Sequence, residues 1–333
     1  MARSDLLINL VQAATRGDQT LLKKTVEALV AEERAKQHHV LAERLAEYLK
    51  GNGSISFNAL GAVDSRIQDL LFEITPNRKL QDLILPEVVQ TVCQELIEEH
   101  HRRELLRSYN LEPRHRVLLA GPPGNGKTSL AEALAEALMV PMLVVRYEGV
   151  IGSYLGETAS RLQLLFEYVR TRRCVLFLDE FDVLGKERGD VHETGEIKRV
   201  VSSLLLQIDA LPSHVVVVTA SNHPELLDRA VWRRFQLRLP LPPPGIAQLE
   251  KWLCFFETRL GEPLGYTPRT LAEKLKGLSF AEVEEFGTDI LRRHVLAKPN
   301  SNLKQIVSEC LKQWQARFKV TETTREQDRK DFC

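Results

Sequence analysis

The stretch Gly121-Pro-Pro-Gly-Asn-Gly-Lys-Thr-Ser129 decides the fold of this chain. It spells G-x-x-x-x-G-K-[ST], follows the apolar run Arg116-Val-Leu-Leu-Ala120, and precedes an Ala/Leu/Glu-rich segment, Leu130 to Met139, that reads as a helix. Strand, glycine loop and helix in that order form the context a phosphate-binding loop requires. Gly121, Gly124 and Gly126 permit positive φ, so that backbone N–H groups and a helix N-terminus converge on a phosphate chain, with Pro122, Pro123, Asn125 and Ser129 completing the loop. Lys127 is expected to reach the β- and γ-phosphates, and the Thr128 hydroxyl to ligate Mg²⁺. A glycine-rich turn that merely carries a lysine is the bland alternative, and the flanking strand and helix weigh against it. The stretch therefore predicts nucleotide binding.

Downstream, Val175-Leu-Phe-Leu-Asp-Glu-Phe-Asp182 places two carboxylates after four apolar residues, at the C-terminal end of a buried strand. An open α/β sheet presents its ligand site at that end. Asp179 is expected to hold Mg²⁺, mainly through water, and Glu180 to polarise the water that attacks the γ-phosphate. Asp182 reads as a helix N-cap. Asn222 ends the run Val215-Val-Val-Val-Thr-Ala-Ser221. Its amide could orient the attacking water, although alone it would read as a turn asparagine.

Further strand candidates are Met142 to Arg146 and Gln236 to Leu239, with helical stretches between them. Short apolar strands alternating with helices predict a parallel α/β sheet covered on both faces. Past Pro242-Pro-Pro-Gly245 only helical patterns remain, at Ile246 to Leu260, Thr270 to Leu275, Ala281 to Val295 and Leu303 to Arg317. Upstream, apolar residues recur at helical spacing from Leu6 to Tyr48, as in a small bundle. The expected organisation is a helical adaptor over 1–50, a linker over 51–79 and an α/β nucleotide domain over 80–242. A helical lid over 243–318 and a disordered charged tail over 319–333 complete it.

Composition narrows the function classes. Lys+Arg (45) balance Asp+Glu (45), so no global basic charge recommends nucleic acid as a partner. The start of the chain lacks a signal-peptide core, and no window approaches about 18 uninterrupted apolar residues, so no membrane partner is expected and a cytoplasmic protein is. The five cysteines form no C-x-x-C and read as reduced thiols rather than a metal site.

Taken together, Gly121–Thr128, Leu178–Asp182 and Ser221-Asn-His-Pro-Glu-Leu-Leu-Asp-Arg-Ala-Val-Trp-Arg-Arg-Phe235 resemble the Walker A, Walker B and second region of homology of the AAA branch of AAA+ ATPases. The resemblance runs over roughly residues 80 to 295. It implies a P-loop α/β domain with a helical lid, ATP and Mg²⁺ as ligands, and subunits assembled in a homo-oligomeric ring, usually a hexamer. On that reading Asn222 matches the sensor-1 position. Arg233 and Arg234 fall where the family places arginine fingers that reach a neighbour's ATP, although the usual spacer between them is missing here. Ile84, with Leu83 and Leu85, occupies the stretch that lines the adenine pocket. Ser279-Phe-Ala-Glu282 stands where this branch has Ser-Gly-Ala-Asp, with no sensor-2 arginine.

Gly152-Ser-Tyr-Leu-Gly-Glu157 is similar to the pore loop of katanin- and spastin-like relatives, so Tyr154 and Leu155 are expected to grip an extended polypeptide in the ring's channel. The charged segment Gly185 to Glu193 corresponds to a second pore loop. The function implied is ATP-driven remodelling or unfolding of protein substrates. No H-E-x-x-H occurs, so proteolysis would need a separate subunit. Small bacterial AAA proteins with a similar helical extension are often encoded beside a subtilisin-like serine protease, which makes such a protease a candidate partner by resemblance alone. The alternative is an ATP-gated regulatory switch that holds a partner, such as a protease or toxin, without threading it.

Overall fold

The computed structural model describes residues 6, 19–36, 42, 65–150, 155–182, 193–298 and 302–314. They divide into two compact units, each treated separately below. The first comprises the described residues among Met1–Leu83, Glu87–Ala120 and Lys127–Pro240; the second comprises Ile84–Pro86, Gly121–Gly126 and those from Leu241 onward.

The first unit is built on a six-stranded sheet. Its strands are β1 (Leu71–Ile74), β2 (Arg116–Ala120), β3 (Met142–Val145), β4 (Cys174–Leu178), β5 (Val215–Ser221) and β6 (Leu237–Pro240). They lie in the order β1-β3-β4-β5-β2-β6. All pairings are parallel except that of β1 with β3. The helices of this unit are α1 (Gln19–Ala35), α2 (Ser65–Leu70), α3 (Glu87–His101), α4 (Arg103–Ser108), α5 (Lys127–Ala137), α6 (Tyr147–Val150), α7 (Leu155–Arg170), α8 (Glu193–Asp209) and α9 (Arg229–Arg234).

The near-continuous apolar strands follow from cover on both faces. Leu118, Leu143, Leu176, Leu178 and Val217 share one core with Leu162, Phe166 and Val169 of α7 and with Leu204, Leu205 and Ile208 of α8. Helix α5, with Leu130, Ala131 and Leu134 fully buried, packs against β3, β4 and β5. The chain leaves β2 toward β3–β5 on one side and later places β6 on its other side. That reversal opens a crevice at the carboxyl end of β2. Ala120 pairs with Ser221 and Leu178 with Thr219, so β2, β4 and β5 end at the same edge.

One expectation is corrected here. Residues 51–79 were expected to be a linker, yet Ser65–Leu70 is helical and Leu71–Ile74 forms the antiparallel edge strand. Ile67, Leu70 and Leu71 enter the main core. The strand's partner, β3, lies some seventy residues further on, where Leu71 faces Val145 and Ile74 faces Met142. A short strand with a distant partner carries no turn signal of its own. Gly149 permits the close approach: a Cβ there would sit 1.9 Å from the Asp69 carbonyl oxygen.

The second unit is helical apart from its phosphate-loop and adjoining segments. It contains α10 (Ile246–Leu260), α11 (Pro268–Lys274), α12 (Phe280–Leu296) and α13 (303–314). Their apolar faces close on Leu253, Leu271, Phe286, Ile290, Val307 and Trp314. Trp252 stacks on Phe256 with ring centroids 5.2 Å apart, directly over Gly287. Any larger residue at 287 would meet the indole at 2.6 Å. Most of the expected N-terminal bundle lies outside the described residues; α1 buries Thr25, Leu29, Val30 and Glu33. Among the described residues no helix is long and apolar enough to cross a membrane.

Candidate active site

In the helical unit, the loop Gly121–Gly126 has the backbone its glycines predict. Gly121, Gly124 and Gly126 stand at φ +156°, +76° and +82°. Gly121 and Gly124 also lack room for a side chain. A Cβ on Gly121 would lie 2.1 Å from the Leu241 carbonyl oxygen, and one on Gly124 would lie 2.8 Å from Ser279 Oγ. Gly126 faces open space, with nothing within 4 Å of its Cβ position. Pro122 and Pro123 are exposed, whereas Asn125 is buried. Its Nδ2 donates to the Pro122 carbonyl at 3.3 Å, and its Oδ1 has no partner among the described residues.

The segment Ser279-Phe-Ala-Glu282 owes its pattern to a capping box. Ser279 Oγ accepts from the Glu282 N–H at 3.3 Å, and Glu282 Oε2 accepts from the Ser279 N–H at 2.7 Å. This fixes the first turn of α12, whose Ala281 N–H donates to the Gly124 carbonyl at 3.0 Å. The capping pair therefore braces the phosphate loop from behind. Ile84 belongs to this unit and is half-buried.

In the α/β unit, Lys127 begins α5 and is buried. Burial pushes its ammonium pKa down, and the charges of Asp179 and Asp182 oppose that shift. Those acids favour the cation that burial disfavours. Thr128 is exposed. Ser129 Oγ accepts from Arg78 Nη1 at 2.6 Å, and Glu132 accepts from the Asn77 and Arg78 N–H groups at 3.2 and 3.3 Å. Ser129 thus anchors residues 77–78 to the first turns of α5.

At the end of β4 the three acids separate. Asp179 Oδ1 accepts from the Glu180 N–H at 2.9 Å. Glu180 stands at φ +47°, a left-handed conformation that costs a residue of its type about 1–2 kcal/mol. The sharp turn leaves the Glu180 side chain exposed and buries Phe181, which meets Phe235 edge to face. Asp182 is only 3% exposed and lies within the following helix, so it does not act as the expected N-cap. Its Oδ1 accepts from the backbone N–H of Asn222 at 3.1 Å and ties the end of β5 to that of β4.

Two features here have no local sequence signal. The Tyr147 hydroxyl is buried without a hydrogen-bond partner among the described residues. Burial, then the charges of Asp179, Asp182 and Glu180, push its pKa far above the usual tyrosine value. It therefore stays protonated, as a donor beside the acids. Asp209, at the end of α8, binds Arg234 Nη1 and also Arg116 Nη1, the latter at 2.5 Å. Arg233 is exposed and makes no hydrogen bond or ion pair with any described residue.

Tyr154 and the segment 183–192 lie outside the described residues. Leu155 opens α7, and its side chain is likewise outside the description. No cluster of three or more His, Cys, Asp or Glu side chains able to hold a metal occurs among the described residues. A Mg²⁺ site needs no such cluster: one hydroxyl, one carboxylate, water and phosphate oxygens suffice. The exposed Thr128 hydroxyl and the Asp179 carboxylate are oxygen donors of that kind.

Positive-φ glycines that lead in sequence into a helix opening on a buried lysine, and strand-end acids whose charges favour that lysine's cation, match the pattern of a P-loop nucleoside triphosphatase. Residues 117–243 match the family described as ATPase family associated with various cellular activities (AAA). An uncharacterised AAA family ATPase of Sinorhizobium fredii is 33% identical over 304 residues, covering 90% of this chain and 91% of that protein. A cell division cycle protein 48 homolog of Archaeoglobus fulgidus is 34% identical over 230 residues, which are 66% of this chain but 31% of the relative. A putative 26S proteasome regulatory subunit homolog of Methanothermobacter marburgensis is 29% identical over 216 residues, or 57% of its length. The chain belongs to the AAA family of ATPases.

Proposed function

We propose that this chain hydrolyses ATP with Mg²⁺ in a homo-oligomeric ring, a hexamer, and uses that work to remodel or unfold protein substrates. The observation that carries the hydrolytic part is the electrostatic set of Lys127, Asp179 and Asp182 beside the exposed Glu180. The glycine loop and Lys127 bind the triphosphate. Mg²⁺, held by Thr128 and Asp179, would neutralise charge on the phosphate oxygens. Glu180 takes a proton from the attacking water, the water oxygen bonds to the γ-phosphorus, and the bond to the bridging oxygen breaks to leave ADP and phosphate. Asn222, whose backbone is held by Asp182, orients that water.

Of the two arginines, Arg233 is the residue we assign to a neighbour's γ-phosphate. Its guanidinium is exposed and makes no hydrogen bond or ion pair among the described residues, whereas Arg234 is engaged by Asp209 in its own chain. A finger supplied in trans is worth about 10³–10⁵ in rate. Ile84 contributes to the adenine pocket. The N-terminal residues 1–50 serve as an adaptor, the lid spans 243–318, and any proteolysis belongs to a separate partner such as a serine protease.

Protein substrates are supported by the relatives named as a cell division cycle protein 48 homolog and a proteasome regulatory subunit homolog. Tyr154 and Leu155 are the proposed grip on the threaded chain. Tyr154→Ala should keep at least half of the basal ATPase rate yet lose unfolding of a tagged fluorescent substrate. Undiminished action on the partner by that variant would favour the ATP-gated switch instead.

A further inference from the structure

The reaction proposed above makes no use of Tyr147, whose hydroxyl is buried and has no hydrogen-bond partner among the described residues. The ring packs against the main core of the α/β unit. Phenylalanine would fill that space as well and would leave no hydroxyl unpaired, and a buried hydroxyl without a partner costs stability. Packing therefore accounts for the ring but not for the oxygen.

The register of the sheet sets what the oxygen can meet. Val144 of β3 pairs with Phe177 of β4, and Tyr147 and Glu180 each follow three residues later, so both strands deliver these residues to one edge. The backbone around Tyr147 is fixed on both sides. The Arg146 N–H donates to the Leu70 carbonyl at 2.8 Å, and Arg161 Nη1 donates to the Gly149 carbonyl at 2.6 Å. After burial, the charge of Asp179 does most to raise the pKa of the hydroxyl, followed by those of Asp182 and Glu180. The hydroxyl thus lies in the field of the acids as a donor.

Of the three acids, Asp179 suits it as acceptor. The Glu180 side chain is exposed, and Asp182 lies inside the following helix with Oδ1 on the Asn222 N–H. Asp179 is half-buried; its Oδ1 accepts from the Glu180 N–H, and its Oδ2 has no hydrogen-bond donor among the described residues. A donor behind a metal-binding carboxylate fixes its orientation and tunes its hold on the ion.

We propose that Tyr147 is a positioning residue whose hydroxyl donates to the Asp179 carboxylate, directly or through one water, when Mg²⁺ and nucleotide are bound, and so holds that carboxylate for the ion. This rests on the reading of Asp179 as a Mg²⁺ ligand. The test compares the full wild-type chain with Tyr147→Phe, which removes the oxygen alone, and with Asp179→Asn. Affinity for a fluorescent, non-hydrolysable ATP analogue is measured in EDTA and across a Mg²⁺ titration, and thermal unfolding is followed without ligand and with Mg²⁺ and the analogue. Tyr147→Phe should bind the analogue in EDTA within about twofold of wild type but need about threefold to tenfold more Mg²⁺ for the half-maximal gain in affinity, the scale of one net hydrogen bond. Without ligand its Tm should equal or exceed that of wild type, because an unpaired buried hydroxyl is gone, and Mg²⁺ with the analogue should raise that Tm by less. Asp179→Asn should lose most of the Mg²⁺ dependence. That loss together with a wild-type Mg²⁺ requirement in Tyr147→Phe would overturn the role of Tyr147 and leave Asp179 in place. Affinity indifferent to Mg²⁺ in wild type, or Asp179→Asn that titrates as wild type does, would overturn both. A fall in the affinity of Tyr147→Phe that is equal with and without Mg²⁺, or a ligand-free Tm well below that of wild type, would make the hydroxyl a structural group and would also overturn the proposal.

Discussion

The two ends of strand β4 carry opposite chemistry on one continuous stretch of chain. After Leu178 come Asp179, Glu180 and Asp182, which share the field of the buried Lys127. Before Cys174 stands Arg173, whose pKa burial and the charges of Arg103 and Arg107 lower while that of Glu104 raises it. At the acid end three charges are answered: Asp182 by the Asn222 N–H, Asp179 by the Glu180 N–H, and Lys127 by the charges of Asp179 and Asp182. The acids of the carboxyl edge are thus fixed by backbone N–H groups of its own turns, whereas at the opposite edge Arg103 and Arg107 are answered by the side chains of Glu104 and Glu112.

The strongest way to break this contrast is at Lys127. Lys127→Ala should abolish nucleotide binding in a fluorescent-nucleotide titration, and retained tight binding would remove the phosphate loop from the account. Glu180→Gln should bind ATP with near-normal affinity but turn it over at least about 10²-fold more slowly, the share of a positioned base. Asp182→Asn sharpens the contrast further. An amide oxygen can still accept the Asn222 N–H, but the negative charge opposite Lys127 is gone. A loss of about threefold to tenfold in ATP affinity with little change in kcat is expected. A larger loss in kcat than in affinity would instead make Asp182 a positioning residue for the attacking water.

Much of the acid end is legible in the chain because its parts are local. Gly121 to Ser129 specify their own backbone, and Val175 to Asp182 combine a buried strand with its terminal acids. Other parts depend on partners far away in sequence. The Asp182 contact reaches forty residues on to Asn222, and Asp209 selects Arg234 over Arg233 without any local mark. Strand β1 was missed for the same reason: its alternation is short and its partner β3 is distant. Tyr147 follows an apolar strand and looks like core filling until its buried hydroxyl is found in the field of the acids, without a partner among the described residues. Arg173 lies in a run of arginines, Arg170, Arg172 and Arg173. Only the fold shows that Arg172 stacks on Tyr168 at 4.0 Å while Arg173 lines a cavity with Arg103 and Arg107.

The claim that hydrolysis needs a neighbour's Arg233 is tested most directly by the ATP hydrolysis rate per chain as protein is diluted from well above to well below micromolar, with light scattering at each step. The account predicts a rate per chain that climbs steeply with concentration and levels off as scattering reports assembly. A flat, measurable rate per chain in samples that scatter as monomers would contradict it.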